Sequence, residues 1–238
     1  MTKTLQSSVS QRLPIASCDH GLRRRMVAEL LLSEIFQGTL RTGQRLVIKE
    51  LSERFQVSST PIREALVQLE GIGIIDFVPN CGAVVRKVTT SDVREVCQVR
   101  RALECEATRS ACGRIALSPL HDLSDAFQRM MSVKRHGASF VDTARALDSR
   151  LHDLIAESCE NRFLAKEIGR LKLLFRAFRD AAWEQRLANH DYHRFAEEAR
   201  EHLAVVEALL DGDAKRASRA MALHIRAGVK YWSRGLPT

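Results

Sequence analysis

Apolar residues recur at three- and four-residue intervals through most of this chain, and one short region breaks that rhythm. From Gly21 to Gln37, Val27, Leu30, Leu31 and Ile35 line one face and predict an amphipathic helix that Gly38 stops. Val47 to Phe55 predicts a short helix with Leu51 and Phe55 on one side, and Gln56-Val57 is a tight turn. Ser58, Ser59 and Thr60 can each cap the helix that follows, and Pro61 is tolerated in its first turn. Within it Ile62, Leu66 and Leu69 face a core, which leaves Ser59, Arg63 and Gln68 outward. The period then shortens: Ile74–Val78 and Ala83–Lys87 predict two strands joined by the turn residues Pro79-Asn80-Cys81-Gly82. Helix, turn, helix and hairpin together predict a winged helix-turn-helix.

After Val88 no further strand pattern occurs. Six helices are predicted: one capped by Thr90 or Ser91 and reaching about Ile115, with Val93, Val96, Val99, Leu103 and Ala107 inward; Ser118 to about Gly137; Phe140 to Ser158; Asn161 to about Leu187; Asp191 to Leu210; and Asp213 to Trp232. Six such helices in about 150 residues suit an antiparallel bundle. The fold class expected is therefore mainly α, with a small β-hairpin wing in the first domain. The domains expected are a disordered polar tail over residues 1–20, a winged helix-turn-helix over 21–88 and a helical domain over 89–238.

Composition narrows the class. The 238 residues include no long uncharged apolar run and no apolar block near the start, so neither a membrane span nor a signal peptide is expected. Six cysteines show no paired spacing and read as free thiols of a cytoplasmic protein. Net charge is +8, which suits a polyanionic partner. It is spread over the chain: residues 1–88 carry 12 Lys and Arg against 8 Asp and Glu, and the rest carry 25 against 21. Arg23-Arg24-Arg25, which opens the first helix, reads as a solvated face or a phosphate contact.

Chemistry concentrates in the helical part, which holds all the histidines but His20. His202 shares a face with Val205, Val206 and Leu209, and His224 shares one with Ala217 and Met221. Asp148 and His152, one turn apart, share theirs with Ala144, Leu151 and Ile155. An unpaired carboxylate on an apolar stripe costs several kcal/mol unless a cation removes the penalty. Two readings follow. Either these are core histidines held by hydrogen bonds with Asp148 paired to an arginine, or Asp148, His152, His202 and His224 hold a divalent metal. Three imidazoles and a carboxylate suit zinc first, then nickel or manganese.

Two stretches carry a family resemblance. Leu51-Ser52-Glu53, Val57-Ser58-Ser59-Thr60-Pro61-Ile62-Arg63-Glu64-Ala65-Leu66 and Leu69-Glu70 resemble the DNA-binding domain of the GntR superfamily of bacterial transcription regulators. Leu147-Asp148, Leu151-His152, Ile155-Ala156, Asn161-Arg162-Phe163-Leu164, Glu201-His202, Gly212-Asp213 and His224-Ile225 resemble the FadR-type, or FCD, ligand-binding domain of that superfamily. The resemblance implies that Asp148, His152, His202 and His224 hold a divalent metal in an all-helical bundle, and that a small carboxylate or hydroxy acid binds beside it. It implies a homodimer on a double-stranded, pseudo-palindromic operator, with repression relieved by effector as the common logic. Arg100 and Arg101 match its Arg-x-x-x-Glu helix beside the cavity. Arg100 is then either a clamp for an effector carboxylate or an ion-pair partner of Glu104.

Lys49, Ser58, Ser59, Thr60, Arg63, Asn80 and Gly82 are the expected DNA contacts. Ser59 stands where the family often has a guanine-reading arginine, and Cys81 stands where the wing usually has one before its glycine. A bidentate Arg–guanine contact is worth about 1–3 kcal/mol of discrimination, so an operator unlike the common family site is expected. No enzyme is expected, because no general base stands out beside the ligands, Glu157 and Glu201 reading as surface residues. The rival classes are a regulator that senses the metal itself and a metal enzyme with a DNA-binding head.

Overall fold

The computed structural model describes residues 19–133, 138–188 and 192–233. The chain divides into two compact units, Met1–Lys87 and Val88–Thr238.

The first unit opens with α1 (His20–Phe36), whose N-terminus is capped by Asp19 through a 2.9 Å bond from the Leu22 amide. Residues 1–18 of the expected tail and Cys18 lie outside the described residues, but His20 is helical and bonds Glu64 at 2.9 Å. Next come β1 (Arg45–Leu46), α2 (Ile48–Phe55), α3 (Ser59–Gly71), β2 (Ile75–Val78) and β3 (Gly82–Val85). Between α2 and α3 the chain turns sharply because Gln56 takes the left-handed conformation, φ 55°. Val27, Leu31, Ile62, Leu66 and Leu69 are all wholly buried and join α1 to α3. The wing has one more strand than its hairpin pattern suggested: β1 pairs antiparallel with β3, giving the order β1-β3-β2. Two residues are too short a run to show a period of two, so β1 left no mark in the sequence.

The second unit holds α4 (Thr90–Ala111), α5 (Leu117–Met131), α6 (Ala138–Ser158), α7 (Arg162–Ala188), α8 (His193–Leu210) and α9 (Ala214–Trp232). Thr89 and Asp92 form a reciprocal capping box that starts α4. The expected helix end at Gly137 and start at Asp191 lie outside the described residues, as do His136 and His190. The main packing is α4 on α9, α5 on α8 and α8 on α9. Cys105 meets Ser218 while Arg100 lies over the Trp232 ring, so α4 and α9 run antiparallel.

Of the expected inward face of α4, Val93 and Ala107 are wholly buried, but the rest needs correction. Val99 is 47% exposed, and the buried face is Val93, Cys97, Arg100, Glu104, Ala107, Thr108 and Ala111. Counting apolar residues favoured the valines. The bundle instead takes in the adjacent stripe, because Arg100 and Glu104 neutralise each other and can be buried as a pair. Among the described residues no helix is long and apolar enough to cross a membrane.

Candidate metal centre

Three helices of the second unit converge on one buried cluster. Helix α6 supplies Asp148 and His152, α8 supplies His202 and α9 supplies His224, and one donor atom from each lies within 4.8 Å of the others. Each side chain arrives there because its neighbours anchor the helix face. Leu151 and Ile155 flank the α6 pair, Val205 and Val206 the α8 histidine, and Ala217 and Met221 the α9 histidine, all at 0–1% exposure. Asp148 Oδ1 lies 3.5 Å from His202 Nε2 and 3.8 Å from His152 Nε2. The His202 and His224 ring centroids are 4.3 Å apart.

A second ring of charged groups orients the first. The His152 Nδ1 faces Glu104 in a close contact, and an Nδ1–H donated there leaves Nε2 as the acceptor nitrogen. The Arg100 guanidinium donates to that Nε2 at 3.0 Å and is itself bound to Glu104 at 2.6 Å. The His224 Nδ1–H donates to Glu201 at 3.0 Å, and Arg194 holds Glu201 at 2.8 Å. Arg179 takes Asp148 Oδ2 and leaves Oδ1 facing the imidazoles. Both readings of Asp148 therefore describe part of the site: it is paired to an arginine, and it also points at three histidines.

The protonation states follow from burial and charge. Burial, then the neighbouring imidazole, holds His202 well below the usual histidine range; His224 is shifted the same way by burial and by His152. Burial pushes Glu104 upward, but Arg100 and His152 outweigh it and hold its carboxyl at about 2. Burial also works against ionised Asp148, yet Arg179 and the histidines keep it far below the carboxylate range. Neutral imidazoles beside an ionised carboxylate are the donor states a divalent metal requires. His202 Nε2 adds a direct sign of fit: it is buried and has no hydrogen-bond partner among the described residues. A buried polar atom is seldom left so.

The cluster opens into a cleft lined by Arg100, Ser149, Lys172, Phe175, Arg176 and Trp232, among others. Arg100 lies there, stacked over the Phe175 and Trp232 rings, and is both partner of Glu104 and part of the cleft wall. Arg101 does not join it; it lines a separate groove between α4 and α9. Glu201 is also repositioned: it is not a surface residue but a half-buried partner of His224. Sequence reasoning missed Arg179 and Arg194. The only mark of Arg179 was its place on the apolar stripe of α7, four residues after Phe175, where it is 4% exposed.

In the first unit Lys49, Ser58, Ser59, Thr60, Arg63, Asn80 and Gly82 are all exposed. Ser58 is the N-cap residue of α3, and its side chain makes no cap bond. Asn80 and Gly82 turn the wing with φ of 62° and 81°.

Residues 95–227 match the family described as "FCD domain", and residues 23–85 match "Bacterial regulatory proteins, gntR family". The chain is 27% identical over 226 residues to the HTH-type transcriptional repressor RspR of Escherichia coli strain K12, covering 94% of this chain and 91% of that one. It is 26% identical over 205 residues to a probable D-xylose utilization operon transcriptional repressor of Paenarthrobacter nicotinovorans, covering 84% of each. In fold it is similar to E. coli McbR/YncC, at 18% identity and a TM-score of 0.66, over 88% of this chain and 96% of that one. A GntR regulator from Rhodococcus sp. RHA1 matches at 22% identity and a TM-score of 0.57, over 88% and 97%.

Proposed function

The chain belongs to the GntR family of bacterial regulatory proteins, in the group that carries an FCD domain, and from that premise we propose that its operator binding is controlled by a small carboxylate or hydroxy acid held at a divalent metal. As a member of that family it is a DNA-binding transcriptional regulator, and its matched relatives are regulators rather than enzymes. The observation that carries the effector reading is a charge count. Asp148, Glu104 and Glu201 are already paired with Arg179, Arg100 and Arg194. A divalent ion therefore brings two positive charges that these three paired carboxylates do not neutralise, and burial pushes the neighbouring Glu198 carboxyl up to about 7, against ionisation. In a buried site that excess favours an anionic ligand strongly.

Asp148, His152, His202 and His224 would hold the ion, zinc first and nickel or manganese as alternatives, and it would supply a Lewis-acidic anchor for an effector oxygen. Glu104 and Glu201 fix the imidazole tautomers. Arg100 sits where a guanidinium can pass from His152 Nε2 to an incoming carboxylate, a bidentate partner of better geometry. Lys49, Ser58, Ser59, Thr60, Arg63, Asn80 and Gly82 would contact the operator, with two copies of the chain on one pseudo-palindromic site. The relatives named as repressors support repression as the sign.

The test is thermal-shift screening of metal-loaded protein against small mono-, di- and hydroxy acids, with a chelated control and a His202→Ala variant. At least one acid should raise the melting temperature of the metal-loaded protein alone and change its operator affinity. A shift that survives chelation or His202→Ala would remove the metal from effector binding. Operator binding switched by chelator, with no acid active, would make the ion itself the signal.

A further inference from the structure

The groove between α4 and α9, where Arg101 lies, is outside the histidine cluster. It is lined by Arg101 and Arg109 from α4 and by Lys215, Arg219 and Arg226 from α9, with Glu106 as the sole carboxylate of the lining. Arg109 pairs with Glu106 at 2.5 Å. Arg101, Lys215, Arg219 and Arg226 have no carboxylate partner among the described residues. Five cations against one carboxylate equal the whole positive excess of the helical part, 25 Lys and Arg against 21 Asp and Glu over residues 89–238. Like charges repel, so nothing in the fold itself gathers them on one strip.

The arrangement is regular. Arg101, Cys105 and Arg109 follow at four-residue intervals on α4, and Lys215, Arg219, Ala222 and Arg226 follow one face of α9. At 1.5 Å per residue the two rows are about 12 and 16 Å long, and they flank a floor of Ala102, Cys105, Ser218 and Ala222. Ser218 donates to the Cys105 carbonyl at 3.0 Å and holds the two helices together beneath the rows. The small floor lets an anion sit between guanidiniums from both sides. No aromatic ring lines the groove, so it offers no platform for a base or a sugar ring. Four arginines to one lysine is the composition that suits forked contacts to phosphate oxygens.

We infer that the α4–α9 groove is a second anion site, which takes a short, free polyphosphate by its phosphate groups alone. Its length and its ends favour a short anion over a nucleic-acid backbone. Asp213 is exposed just before Lys215 and would repel a strand running on past it, while Asp211 beside it is paired with Arg216. The site is separate from the metal reading and does not depend on it.

Tripolyphosphate titrated into the full chain by calorimetry at low ionic strength tests this, with sulfate at matched ionic strength as the screening control. Wild-type protein should bind it saturably, more tightly than sulfate, and with the same affinity when chelator keeps the histidine cluster free of metal. Lys215→Ala/Arg219→Ala should weaken binding about tenfold or more with the unliganded melting temperature unchanged. Equal binding of sulfate and tripolyphosphate would reduce the groove to a solvated cationic face. Affinity lost on chelation would move the site to the metal. If the double variant loses affinity for a non-operator duplex but not for tripolyphosphate, the groove serves DNA and the inference fails.

Discussion

Arg179 illustrates how one side chain decides the state of its neighbours. It is 4% exposed, bonds Asp148 and stacks over Trp183. Arg179→Leu would leave Asp148 buried without its partner, a loss of about 3–5 kcal/mol. A bound divalent ion would replace the missing positive charge. Urea unfolding should therefore show the full loss in chelator and a much smaller one with zinc, whereas equal losses would separate Asp148 from any metal. Glu198 is a different case. It lies 5% exposed on α8 and accepts the Trp183 indole N–H at 3.1 Å, and burial pushes its carboxyl up to about 7 from an ordinary 4.5. The folded state thus holds this proton more tightly than the unfolded one. Its stability contribution is intact below pH 4.5 and falls as pH rises through 7. Glu198→Gln keeps an acceptor for Trp183 and removes the ionisation. In chelator, its melting temperature relative to wild type should rise between pH 5 and pH 8, by about 2–4 °C per kcal/mol recovered. A constant difference would show that Glu198 is already ionised at pH 5.

Among the helices, local chemistry was legible where it is local. Gln56 ends α2 in the left-handed conformation, where a side chain is crowded and glycine is not. Gln56→Gly should stabilise the first unit by about 0.5–1 kcal/mol, read from its unfolding midpoint. Thr89 and Asp92 form the capping box at the head of α4, and Thr89→Ala should cost about 1 kcal/mol. The turn and the six long helices of the bundle each have a signature within a few residues, and the sequence displays them, but the cap of α4 is Thr89 rather than the expected Thr90 or Ser91, because Asp92 stands three residues after Thr89 and closes the capping box. Strand β1 and the buried face of α4 do not. The partner of Arg45–Leu46 is Ala83–Val84, almost forty residues on. Which stripe of α4 turns inward depends on α9 and α7, not on α4 itself.

One chain joins a DNA-binding unit to an FCD domain, so a ligand on the second can act on operator binding only through coupling between the two sites. If an acid at the metal controls operator binding, its presence should change operator affinity about 5- to 150-fold, the range of a 1–3 kcal/mol coupling, and operator should change acid affinity by the same factor. Gel-shift and calorimetric titrations in both directions check that reciprocity. Ser59 and Cys81 stand where arginine contacts are common in the family, so the chain should prefer its own operator over a common family operator; equal affinity for the two would contradict this.

Period, caps and the run from Val57 to Leu66 were enough to place the helices, the wing and the DNA-binding class, because each depends on residues within one or two turns of one another. Aspartate and histidine on apolar stripes also flagged Asp148, His152, His202 and His224 as anomalies. Their surroundings needed the folded chain. Arg179 reaches Asp148 across 31 residues, and Glu201 reaches His224 across 23. Such pairs form only when packed helices bring charges together in a medium of low dielectric, and no spacing along the chain encodes that meeting. The same packing separated Arg100 from Arg101, sending one to the histidines and the other to a groove on another face of α4.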